Sequence, residues 1–102
     1  MHKIQIEPQR VLSDVAPEKC FWVNNGPIIK NIQELPQVLR SLDDVKYKHH
    51  VNENKNDFAK WVNDVLGDIV LAKELSNAKT KSAMLKKVSE RVEYLKKIVK
   101  AR

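Results

Sequence analysis

His49 and His50 stand side by side, and Asp57 follows a short polar stretch later. A histidine with a nearby carboxylate can orient a general base or begin a metal site. Zinc needs three or four ligands at set spacings. The chain has no CxxC and no HExxH, and the other candidates, Cys20 and His2, are remote. No metal is expected. His50 and Asp57 are read as structural, with the Asp57 region capping a helix that carries Phe58 and Trp61. Cys20 lies in an apolar, aromatic run, Lys-Cys-Phe-Trp-Val, and is expected to be an inert structural thiol. Gly26 and Gly67, the two glycines of the chain, cannot build a phosphate-cradling loop. Asp57, Asp64 and Asp68 fall at expected helix ends and on a helix face, which suits capping better than acid–base work. No nucleophile, base and orienter come together, so no catalytic residue, no cofactor and no enzymatic activity are expected.

The remaining chemistry is charge. Residues 79–102 carry nine basic side chains against Glu90 and Glu93, a net charge of +7, whereas the rest of the chain sums to −1. An anionic partner is the chemistry this asymmetry fits: DNA or RNA, an acidic lipid surface or an acidic protein; the alternative is a solvated helix face. The candidate contacts are Lys79, Lys81, Lys86, Lys87, Arg91, Lys96, Lys97 and Lys100. They would bind phosphates electrostatically, without reading bases. Residues 57–78 read as helix, glycine, helix. Asp68 stands where a helix-turn-helix would contact bases, so groove reading by this pair is not expected. Phe21, Trp22, Tyr47, Phe58, Trp61 and Tyr94 are scattered rather than interleaved with basic residues. They are read as core rather than as a platform for single strands.

These residues must be positioned by a small number of elements. Residues 2–6 alternate as a short strand, limited by Pro8. Residues 19–30 read as a β-hairpin about Asn24-Asn25-Gly26-Pro27, where Asn and Gly tolerate positive φ. Asn31 opens a helix, with Glu34 placed to reach back as in a capping box. Pro36 requires either that this helix begin near Glu34 or that it kink. Residues 45–51 alternate and are expected to form a third strand. Asn56 or Asp57 caps the next helix, Gly67 ends it, and Asp68 caps another with Ile69, Leu71, Ala72 and Leu75 on its apolar face. The last helix spans residues 81–101. Leu85, Val88, Val92, Leu95 and Val99 form a stripe along it, widened by Met84 and Ile98. That stripe either packs on its own domain or pairs two copies of the chain. The core is expected to hold Phe21, Trp22, Leu35, Leu39, Phe58, Trp61, Val62, Leu71 and Leu75.

The run from Cys20 to Leu75 also resembles a small, chiefly archaeal prokaryotic family, a domain of unknown function. The matching residues are Cys20-Phe21-Trp22 with Gly26, Ile32-Gln33-Glu34-Leu35 with Leu39, and His50 before Asn56-Asp57-Phe58-Ala59-Lys60-Trp61-Val62. Val65-Leu66-Gly67-Asp68 with Leu71-Ala72 and Leu75 completes the pattern. The resemblance implies a compact α+β unit and brings neither catalytic residues nor a ligand.

At 102 residues the chain is one domain's worth. Its subdivisions are a strand and loop over 1–18, an α+β body over 19–78 and a basic helix over 79–102. An apolar fraction of 42% beside 31% charged excludes a disordered segment. A single cysteine excludes a disulfide scaffold, and no apolar run reaches the roughly 20 residues of a membrane span. The opening residues lack the apolar core of a secretory leader, so a cytoplasmic location is expected. The fold expected is α+β: a short β-hairpin or three-stranded sheet with three to four helices, the last long and basic. The function expected is a non-enzymatic binding module for nucleic acid, sequence-independent, as a monomer or homodimer. The alternative is protein–protein interaction or dimerisation through the apolar stripe of the last helix.

Overall fold

The computed structural model describes residues 6–102. The strand expected over residues 2–6 lies outside them except for Ile6, which packs against the core. Pro8 opens a single helical turn, α1 (Pro8–Val11), as its preset φ and missing N–H allow at a helix start. The hairpin follows, β1 (Phe21–Trp22) paired antiparallel with β2 (Ile28–Ile29), in the register Phe21 with Ile29 and Trp22 with Ile28. One face, Phe21 and Ile29, is buried; the other faces outward. Trp22 therefore leaves the expected core and is 69% exposed, because strand alternation cannot bury it together with Phe21. Asn25 takes the positive φ of the turn, at 52°. Gly26 serves closeness instead: a Cβ there would lie 2.8 Å from Val23 Cγ1.

Asn31 caps the next segment as expected, accepting from the Gln33 N–H at 2.9 Å. Glu34 reaches back one residue further than a capping box requires, to the Lys30 N–H at 3.0 Å. A 3-10 turn (Ile32–Glu34) leads into α2 (Leu35–Ser41), so Pro36 falls in the first turn and no kink forms. No third strand forms over residues 45–51. The segment forms α3 (Asp44–His50), capped by Asp43, whose carboxylate accepts from the Lys46 N–H at 2.8 Å. The inward residues are Tyr47 and His50, one helical turn apart. Val45, which an alternating strand would bury beside Tyr47, is 80% exposed. Among the described residues the sheet is thus a two-stranded hairpin, and they form six α-helices rather than three to four.

Asn56 caps α4 (Asp57–Trp61), which relaxes into a π-helical turn (Val62–Leu66). Gly67 closes it at φ 75°, the left-handed conformation a helix C-terminus favours in glycine. Asp68 caps α5 (Ile69–Asn77), where Leu71, Ala72 and Leu75 are buried but Ile69 is exposed in the first turn. Thr80 caps α6 (Lys81–Ala101), the longest element. It lies against α1, α2 and α5 and buries Met84, Val88, Val92 and Leu95, with Leu85 and Val99 packed at the margin. The apolar stripe is accordingly occupied within the chain, and the expectation that it pairs two copies is corrected. The basic helix is a wall of the same core as residues 19–78, not an appended tail.

Candidate nucleic-acid interface

Burial of Val88, Val92 and Leu95 sets the rotation of α6, because residues three and four apart share a helix face. Lys86, Lys97 and Lys100 then point away from the domain, with Lys96 on one flank and Lys87 on the other; all five are exposed. At 1.5 Å per residue α6 is about 31 Å long, and these lysines are spread over most of that length. Glu90 and Glu93 lie on the same outer face.

The eight expected contacts are not equivalent. Lys86, Lys97, Lys100 and Lys79, the last in the exposed break before α6, make no ion pair among the described residues. Lys96 approaches Glu93 at 3.8 Å, and Lys87 approaches Glu74 of α5 at 3.5 Å; both are surface pairs of small energetic consequence. Lys81 donates to the Leu42 carbonyl at the end of α2. Arg91 is removed from the set. Its Nε donates to Asp68 Oδ2 at 2.7 Å and a terminal nitrogen to Oδ1 at 3.0 Å. Asp68 is 0% exposed, and its Oδ1 also accepts from the Leu71 N–H at 3.1 Å. A carboxylate read as a helix cap is therefore also the buried anchor of α6 on α5. Nothing in the local sequence pairs Asp68 with Arg91, which are joined only by the packing of two helices.

His50 is buried against Phe21 and Phe58. Its Nε2 accepts from the Asn24 N–H at 3.0 Å, and its Nδ1 donates to Asp57 Oδ2 at 2.9 Å. This is the neutral tautomer with the proton on Nδ1, and it ties the hairpin turn to α3 and α4. The lone pair a general base would use is committed to backbone. Partial burial pushes the Asp57 carboxyl up, but hydrogen bonds from His50 and Lys55 outweigh it and hold it below its ordinary value. Asp64 is also held low, by the Asn63 amide and then by Lys60. Cys20 is half-buried just outside β1, its thiol 3.7 Å from the Ala16 carbonyl. Among the described residues, no group of three or more His, Cys, Asp and Glu side chains is placed to hold a metal ion. No helix among them is long and apolar enough to cross a membrane.

One aromatic residue assigned to the core belongs here instead. Tyr94 is 54% exposed on the flank of the lysine face, with the Arg91 guanidinium carbon 5.2 Å from its ring centroid. The signal was its position relative to Leu95 and Val92, which rotates it away from the buried stripe. Comparison with protein-family models, curated proteins and solved structures gave no match.

Proposed function

We propose that the protein acts by binding rather than catalysis, and that it holds nucleic acid by its phosphates on the outer face of α6. The observation that carries this reading is the row Lys86, Lys97 and Lys100, with Lys96 beside it, exposed along one rigid helix. The buried stripe and the Asp68–Arg91 pair keep that helix from rotating. Phosphate contacts of this type carry no base specificity and weaken as counterions compete. Four contacts predict a log–log salt slope of about −3.6 on duplex DNA and about −2.8 on a single strand, at roughly −0.9 and −0.7 per phosphate.

Fluorescence anisotropy of labelled DNA, titrated between about 50 and 200 mM salt, tests this. The quadruple variant K86E/K96E/K97E/K100E should lose binding with an unchanged far-ultraviolet circular dichroism spectrum. Lys87 is left out because it faces Glu74. Absence of wild-type binding at the low-salt end refutes the reading.

A second reading has an observation of its own. Trp22 and Ile28 are cross-strand partners on the outward hairpin face, and both are exposed. An exposed tryptophan beside an aliphatic neighbour suits a protein contact. This moves the protein-interaction alternative from α6 to the hairpin. Light scattering on wild type and W22S tests its homodimeric form, which requires a dimer that W22S dissociates.

A further inference from the structure

Beside Tyr94 the surface between α5 and α6 opens into a notch of about 190 Å³, lined by Glu74, Lys87, Glu90, Arg91 and Tyr94. Its walls are set by tertiary contacts. Arg91 is locked on the buried Asp68 and lies over the Tyr94 ring, so the ring is supported from within while much of it remains open. Lys87 and Glu74 close the α5 side at 3.5 Å. Glu90 has no ion-pair or hydrogen-bond partner among the described residues. Two carboxylates make the notch a poor place for a phosphate. An aromatic ring and an exposed carboxylate free of any protein partner among the described residues make it a suitable place for a flat, neutral heterocycle with an amino group.

Resting on the phosphate reading above, we infer that the notch takes one unpaired nucleobase, so that the substrate class is single-stranded nucleic acid. The base stacks on the part of the Tyr94 ring left exposed beside Arg91, as bases do on aromatic side chains in single-strand binders. Its backbone runs over Lys97, nearly one helical turn from Tyr94, and continues to Lys100 and Lys86. Glu90 accepts from the exocyclic amine, the pairing carboxylates make with cytosine N4. A duplex cannot use the notch, since its bases are stacked inside and α6 meets only its phosphates.

The test is anisotropy of the full chain with labelled oligo(dC), oligo(dT), oligo(rC) and a duplex of mixed sequence. Y94A should weaken oligo(dC) and oligo(rC) by about fivefold to a hundredfold, the range for removing one base stack, and leave the duplex within about twofold. Y94F should retain wild-type affinity, because the stacking face survives. E90Q should narrow the preference for oligo(dC) over oligo(dT). If Y94A binds all probes like wild type while the lysine variant binds none, the notch assignment is overturned and the phosphate reading stands. If Y94A weakens duplex and single strand alike, the notch assignment is again overturned. If wild type binds no probe, both fall.

Discussion

Replacing Arg91 by Met retains most of the side chain's aliphatic length and removes its charge. Asp68, 0% exposed with Arg91 in place, would keep one side-chain hydrogen bond, from the Leu71 N–H. Removing one partner of a buried, hydrogen-bonded ion pair costs about 3–5 kcal/mol, mostly the penalty of stranding the other charge. At roughly 0.05–0.15 kcal/mol per residue, a domain of this size is stable by about 5–15 kcal/mol. R91M should therefore lose about a fifth or more of the total, and its melting temperature should fall by roughly 12–40 °C. The assay is urea unfolding followed by circular dichroism, with K97A as a surface control expected within about 0.5 kcal/mol of wild type. D68N/R91M should be more stable than R91M alone, because the amide retains the cap to Leu71 without an unpaired charge. An R91M protein within about 1 kcal/mol of wild type would refute the reasoning and return Arg91 to the phosphate-binding set.

Two further outcomes follow from the packing. Trp61 is buried and its indole N–H donates to the Lys19 carbonyl at 2.8 Å, so W61A should cost about 3–5 kcal/mol by thermal melt, whereas W22A should cost far less despite equal size. Asp57 is held below its ordinary value, so its contribution is present above the unfolded-state value of about 3.9 and is lost as pH falls through the lower folded-state value. D57N should be less stable than wild type at neutral pH, and the difference should shrink in acid below about pH 4; a difference constant across that range would contradict the His50–Asp57–Lys55 arrangement.

Local sequence determined the features whose causes are local. Caps at Asn31, Asn56, Asp68 and Thr80 need only a short acceptor side chain two or three residues before an amide, and each is made. Gly67 ends its helix because few other residues adopt a φ of 75°. The hairpin turn and the inward stripe of α6 likewise follow from residue types and a period. The segment 45–51 misled because Val45, Tyr47 and Val51 satisfy the alternation of a strand while Tyr47, His50 and Val51 satisfy the spacing of a helix. The Asp43 cap and the room for His50 beneath the hairpin turn decided between them.

The candidate site divides in the same way. Lysine density on the last helix is a property of the sequence, visible without any structure. Which lysines face solvent, and which basic residue is withdrawn into an ion pair, is not. Asp68 and Arg91 meet because α5 and α6 pack together, and the same contact holds Arg91 over the Tyr94 ring and shapes the notch beside it. Trp22 shows the converse: its type predicts burial, but among the described residues a two-stranded hairpin with one face on the core has no second layer to cover it. Periodicity and capping act over a few residues and can be read along the chain. Pairings across tens of residues depend on which helix faces which, and that orientation exists only once the core has closed.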